Sequence, residues 1–266
     1  TQIEGNCFPL RHQSMKLTAT LLILLLSVNA YAQNKLLICS DNNFWYPFTL
    51  VKDGQAAGIH IDIIERALHD LNYEAEFTAL PWKRCLLEAQ RGKYDGVATA
   101  SFKDARAEYL HYPEGAKEAK KSPQRVMQVE YVVITPSSSN YLFKGNPETI
   151  PEPVRAPYGY SIADDLRKLG LEVDNAAYGD EHNFKKLLRD NNGSIVTIPS
   201  VAKSLSQKKE YGGKLTISAQ TLKSKSYYFP ISKQSKLSKK EREEIWIQIA
   251  KVRDNATFIT KSAAKY

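Results

Sequence analysis

From Lys35 onward, short apolar runs alternate with segments whose apolar residues recur every three or four positions. KLLICS (35–40) is an apolar run closed by turn residues and reads as a strand. Asp53-Gly54 is a hairpin signal. Ile61, Ile64, Leu68 and Leu71 fall at helical spacing and predict a helix over 62–71. Ala75, Phe77 and Ala79 alternate, which predicts a strand. Pro81 opens a helix that runs to Arg91 and stops at Gly92. Residues 97–100 read as one short strand, and 104–110 as a short helix capped by Asp104. This β-α-β-α-β order predicts an α/β domain with a largely parallel sheet. Ligands of such sheets bind beyond the carboxyl ends of the strands, so the loops after Ser40, Ala79 and Ala100 are the ones to inspect.

A second α/β unit starts with a strand at 131–135, followed by a loose Ser/Asn/Pro-rich stretch to Pro157. A helix over 161–169 closes at Gly170, with Ser161 and Asp164 in capping-box spacing. Phe184, Leu187 and Leu188 mark another helix that ends at Asn192-Gly193. A strand (195–198), a helix (201–205) and a strand (214–218) follow. The tail predicts a strand at 227–231 and a helix opened by a Ser238/Glu241 capping box, with Ile245, Ile249 and Val252 on its apolar face. No flexible linker separates the units. A chain that leaves one by a strand and returns by another would have a two-strand hinge.

Composition narrows the class. The chain has 266 residues, 42% of them hydrophobic, which suits a folded core rather than disorder. Its 37 Lys and Arg against 29 Asp and Glu give a charge of +8. The basic residues are spread, with no aromatic-interleaved stripe, so no nucleic-acid partner is expected; a mild pull on anions remains. Lys16, the apolar run 17–28 and Ala30-Tyr31-Ala32 have the pattern of a secretory signal peptide (15–32) cleaved after Ala32, which implies the periplasm. Met15 reads as the true start and residues 1–14 as an upstream remnant. Removing the leader removes Cys7 and leaves Cys39 and Cys85, either bonded to each other or two buried thiols. No Cys or His spacing fits a metal, and no cofactor is expected.

Catalytic motifs are missing: there is no G-x-S-x-G, H-E-x-x-H, P-loop or G-x-G-x-x-G. Binding signals are better. The three strand-end loops carry Trp45 and Tyr46, then Trp82 and Arg84, then Ser101 and Arg106. Guanidinium forks beside aromatic faces suit a small ligand with a carboxylate. Gly159-Tyr160-Ser161 at a helix start offers backbone N–H groups to an anion.

Ordered along the chain, WYPF (45–48), GIHIDI (58–63), GKYD (92–95), KDARAEYL (103–110) and YYFPISK (227–233) resemble the family 3 periplasmic solute-binding proteins, which feed polar amino acids to ABC transporters. The resemblance implies a two-lobe α/β fold of the type II, Venus-flytrap kind, each lobe a mixed sheet flanked by helices. Lobe 1 would be 33–130 with 226–266, and lobe 2 would be 131–225. It implies that Trp45 walls the ligand, that Arg106 clamps a carboxylate, and that Ser101, Lys103, Tyr160, Ser161 and Thr197 lie beside it. Trp82 and Arg84 resemble a Trp-x-Arg subgroup in which a Cys39–Cys85 disulfide also fits. Two positions depart from the amino-acid binders: Lys103 stands where a Thr is usual, and Ile198 where an Asp usually holds the ligand ammonium. The expected protein is a monomer that captures a small polar carboxylate, an amino acid or a relative, and delivers it to an ABC-transporter permease. Alternatives are a periplasmic enzyme of cyclohexadienyl dehydratase type, with His60, Asp62 and Glu88 as proton-donor candidates, and an orphan ligand sensor.

Overall fold

Two sheets, each covered by helices, organise the computed structural model, which describes residues 1–3, 5 and 34–266. The leader, its cleavage point and Cys7 lie outside the described residues. The first half runs β1 (Asn34–Asp41), β2 (Leu50–Lys52), β3 (Gln55–Ala57), α1 (Ile59–Asp70), β4 (Tyr73–Leu80), α2 (Trp82–Gln90), β5 (Gly96–Val97), β6 (Ala100–Ser101), α3 (Asp104–Ala107) and β7 (Leu110–His111). It continues with β8 (Met127–Pro136), β9 (Val154–Arg155), α4 (Ser161–Lys168), β10 (Val173–Asp174), α5 (Asp180–Asp190), β11 (Ser194–Thr197) and α6 (Pro199–Ser206). The tail is β12 (Leu215–Tyr228), β13 (Ile231–Ser232), α7 (Lys239–Arg253) and α8 (Ala256–Ala263).

The first sheet has the order β4-β1-β5-β13-β7. Its β4, β1 and β5 are parallel, and β13 pairs antiparallel with β5 and β7. Strand alternation splits β1 between two cores. Leu36 and Ile38 join α1 and α7, while Leu37 and Cys39 face α2. Cys39 and Cys85 are bonded, which pins α2 to the strand whose end carries Asp41. The hairpin at Asp53-Gly54 forms as expected, with both residues at positive φ, 52° and 78°. The capping box that opens α7 also forms, with Ser238 and Glu241 bonding each other's backbone N–H.

The second sheet has the order β10-β9-β11-β8-β12-β6. Helices α4, α5 and α6 cover it through Ile162, Leu166, Phe184, Leu187, Val201 and Leu205. The long antiparallel pair β8 and β12 links the two cores. Val126 and Phe229 belong to the first, yet Val129 and Tyr227, two or three residues away along the same chains, belong to the second.

Three expectations need correction. Residues 97–100 are not one strand. The chain bends at Ala98-Thr99, so that β5 joins the first sheet and β6 the second. The strands expected at 214–218 and 227–231 are joined by a polar stretch, AQTLKSKS (219–226), into β12. Its low strand propensity is overridden by pairing with β8, at the cost of two register shifts. Asp104 does not cap α3; it sits inside the first turn and pairs with Lys117, while Lys103 occupies the cap position. Among the described residues, no helix is long and apolar enough to cross a membrane.

The disulfide closes a loop of 46 residues, which the chain-entropy model values at about 4 kcal/mol. Cys39→Ala with Cys85→Ala should therefore lower the urea midpoint clearly, and adding reductant to the double variant should change nothing further. A midpoint equal to that of the oxidised wild type would show that the bond does not constrain the chain.

Candidate functional site

The carboxyl end of β1 and the loops after it enter a cleft between the two sheets. Asp41, Trp45 and Thr49 line it from this side, with Trp82 at the start of α2, Thr99 between β5 and β6, and Arg106 on α3. Tyr160 and Ser161 at the start of α4, and Tyr227 on β12, line it from the other. The strand-end rule for α/β sheets thus locates the cleft correctly.

Arg106 is 4% exposed and, among the described residues, has no carboxylate partner. It donates to the Ser101 carbonyl at 3.0 Å and the Gly159 carbonyl at 3.3 Å, and its guanidinium lies 5.0 Å from the Trp82 ring. Trp82 Nε1 donates to the same Gly159 carbonyl at 3.0 Å. Gly159 is held at φ 77°, the left-handed region that favours glycine, and this turn aims its carbonyl at Arg106 and Trp82. Trp45 packs against Tyr227 with ring centroids 4.8 Å apart and the planes tilted by 48°, and its indole N–H is buried without a partner among the described residues.

Direct contacts shut the cleft. Tyr160 O–H donates to Asp41 Oδ2 at 2.5 Å, Ser101 and Ser161 hydroxyls meet at 2.6 Å, and Lys103 pairs with Asp164. Asn43 Nδ2 donates to the Tyr178 carbonyl, and Ser200 Oγ to the Tyr46 carbonyl, both at 2.8 Å. What remains open is about 30 Å³ for the centres of water molecules, room for a water or two.

These contacts explain why the sequence pattern misled at α4. Ser161 and Asp164 have capping-box spacing, but Ser161 bonds Ser101 and Lys225, and Asp164 bonds Lys103. Among the described residues no side chain caps the helix, so the N–H groups of Ser161 and Ile162 are left to face an anion, while that of Ala163 bonds the Tyr160 carbonyl.

Burial governs the titratable groups. It pushes the Asp41 carboxyl up, against the hydrogen bonds from Tyr160 and Asn43 that pull it down. It pushes Asp180, at the start of α5, up to about 7; the Thr197 hydroxyl opposes this and the charge of Asp41 adds to it. One Asp180 oxygen has no hydrogen-bond partner. His60 is forced down to about 3 by burial, and its Nδ1 lies 3.2 Å from the Thr99 hydroxyl.

Of the residues singled out from the sequence, Trp45, Trp82, Arg106, Tyr160 and Ser161 line the cleft together. Ser101 lies behind Arg106 as its hydrogen-bond acceptor. Two do not reach the cleft. Arg84 is on the solvent side of α2, 60% exposed and 3.9 Å from Glu88, because Trp82, Cys85, Leu86 and Ala89 take the inward face. Thr197 is buried at the end of β11, beside Asp180. Ile198, where an ammonium partner was sought, lies in the second core. None of His60, Asp62 and Glu88 lines the cleft: Asp62 holds Ser262, Lys265 and Tyr266, and Glu88 faces Arg84 and Lys93. Sequence reasoning missed Asp41, Thr49, Thr99 and Tyr227. Asp41 fell inside a loop already marked for inspection, but a lone Asp after a strand reads as a turn residue. Among the described residues, no group of three or more His, Cys, Asp or Glu is placed to hold a metal ion.

Two helix-covered sheets joined by crossing strands, with an aromatic and arginine cleft between them, define a type II periplasmic-binding fold. Residues 36–150 match the model of the bacterial extracellular solute-binding proteins, family 3. An ancestral arginine-binding protein bound to arginine is similar to it, with TM-score 0.68 and 15% identity over 88% of this chain and 98% of that one. So is the amino acid ABC transporter substrate-binding protein AbpA of Streptococcus pneumoniae bound to L-arginine (TM-score 0.65, 18% identity, 87% and 94% covered). The GluR0 ligand-binding core of Nostoc punctiforme in complex with L-glutamate is a third (TM-score 0.64, 17% identity, 87% and 98% covered). No curated protein sequence matches the chain.

The elevated Asp180 carboxyl has a sign that can be tested. The folded protein keeps this proton up to about pH 7, whereas an unfolded Asp releases it near its ordinary value of 3.8. The native state therefore binds more protons across that window, and this group weakens the fold as pH rises through it. Asp180→Asn removes the effect. Its melting temperature should gain on the wild type between pH 5 and pH 8; a difference that stays constant or moves the other way contradicts the assignment.

Proposed function

We propose that the protein captures a small polar ligand bearing a carboxylate, an amino acid or a close relative, between its two lobes. The observation that carries this reading is the buried Arg106 guanidinium, which faces a cleft with dipoles around it and no anion. A ligand carboxylate would take the place of the Gly159 carbonyl on the guanidinium and gain the free N–H groups at the start of α4. Trp45 and Trp82 would wall the ligand on two sides. Opening and closing would run through the β8 and β12 crossing, with residues 33–130 and 226–266 moving against 131–225. In this reading the protein works in the periplasm as a monomer, without a cofactor, and its closed form docks on an ABC-transporter permease. The match of residues 36–150 to the family 3 solute-binding proteins supports the transport role, and the arginine and glutamate complexes of similar fold support the ligand class.

The test is Arg106→Gln, which keeps most of the volume and removes the charge. Losing one partner of a buried charged pair weakens binding by roughly thirty-fold or more. Calorimetric titration with the best α-carboxylate ligand from an amino-acid panel should show that loss. Unchanged affinity would remove Arg106 from the site.

A further inference from the structure

Lys225 is a mostly buried cation close to the cleft, its side chain 11% exposed. It sits on β12, the strand that crosses between the two cores, two residues before Tyr227. Both side chains therefore leave the strand on one face, and Tyr227 lines the cleft. The Lys225 ammonium pairs with Asp165 of α4 and also donates to Ser161 Oγ at 2.8 Å. Burial holds this ammonium below the usual lysine range, Asp165 pulls it back up, and the nearby Arg106 charge lowers it further. The ion pair with Asp165 accounts for the burial of the charge. The bond to Ser161 is additional, and Ser161 lines the cleft.

The hydroxyl groups at this point have a direction. Ammonium and guanidinium nitrogens only donate. Ser161 Oγ accepts from Lys225, and Ser101 Oγ accepts from Arg106 Nη1 at 3.4 Å. The two hydroxyl groups meet at 2.6 Å, a contact that uses one of their two protons. The other proton is left over, and a cation lies behind each oxygen. Ser101 is behind Arg106, whereas Ser161 opens on the cleft. The arrangement that satisfies the row gives the Ser101 proton to Ser161 and turns the Ser161 proton toward the cleft. There it meets an acceptor only when a ligand brings one.

We infer that Lys225 is a positioning residue for ligand capture: from the crossing strand it occupies the Ser161 oxygen as an acceptor, so that the Ser161 hydroxyl donates to the ligand carboxylate that Arg106 also takes. The inference rests on the function proposed above. It gives β12 a direct bond to the start of α4, the end from which the N–H groups of Ser161 and Ile162 face the same carboxylate.

A role in the fold alone predicts a different result, and a double-mutant cycle separates the two. Lys225→Met with Asp165→Leu removes both charges together, so the net charge is unchanged and neither charge is left buried alone, a replacement that folds tolerate. Calorimetric titration with the amino acid that binds best in the panel used for Arg106→Gln should show roughly threefold to tenfold weaker binding in this variant. In a Ser161→Ala background the same two substitutions should change affinity by less than about twofold, because the hydroxyl through which Lys225 acts is gone. Lys225→Met alone is a second variant with the same two expectations, and melting curves show that each variant folds. Unchanged affinity with Ser161 present, or an equal loss in both backgrounds, would overturn the positioning role; the carboxylate reading would stand if Arg106→Gln still weakens binding. Affinity untouched by Arg106→Gln would overturn the carboxylate reading and this inference with it, as would a panel in which nothing binds.

Discussion

A guanidinium taken out of water without a counter-ion has to be held by dipoles, and that constraint shapes the region around Arg106. The Ser101 carbonyl, the Gly159 carbonyl and the face of Trp82 surround it. Each comes from a different part of the chain, and each is placed by something specific. Ser101 sits on β6 because the chain breaks after β5 and switches sheets. Trp82 sits at the start of α2, which the disulfide fastens to β1. The Gly159 carbonyl is aimed inward by a turn at φ 77°, a conformation that favours glycine. The charge is therefore solvated by structure, at a cost that a ligand anion could relieve.

The closing contacts follow from the same economy. Polar groups that would be stranded in a shut cleft find one another across it: Tyr160 with Asp41, Ser101 with Ser161, Lys103 with Asp164. Lys103, where a smaller hydroxyl side chain was expected, reaches the opposite lobe and forms an ion pair there. Some groups remain unsatisfied, and Trp45 Nε1 and one oxygen of Asp180 are among them. Buried polar groups are nearly always paired; Arg155, which ties β9 to the end of α5 through its terminal nitrogens, likewise leaves its Nε without a hydrogen bond.

Much of this was legible in the sequence, for identifiable reasons. Period and punctuation located β1, α1, α2 and α7, where local propensity and burial agree. The strand-end rule brought Trp45, Trp82 and Arg106 to one cleft. Failures came where tertiary contacts override local signals. The polar run 219–226 becomes strand only because β8 supplies its partner. Ser161 and Asp164 look like caps but bond across the cleft. Arg84 and Trp82 are two residues apart, which on a helix sends them to opposite sides. Asp41 was illegible because an aspartate at a strand end has an ordinary local explanation; only its burial in the cleft distinguishes it.

Closure itself limits how binding energy can be read. In the shut form Arg106 bonds Gly159, Asp41 bonds Tyr160, and Trp82 bonds Gly159. A ligand must replace several of these bonds, so its affinity is a difference between two sets of hydrogen bonds and not a sum of new ones. Where charge replaces dipole, the exchange would favour the ligand: a carboxylate on Arg106 would be a stronger partner than a carbonyl. A ligand without a carboxylate would make no such gain there. Because the protein's own contacts hold the cleft shut, a ligand would favour the closed form only by bettering the contacts it displaces. Selectivity would then arise from what replaces those contacts at Arg106, with Trp45 and Trp82 bounding the space for the ligand.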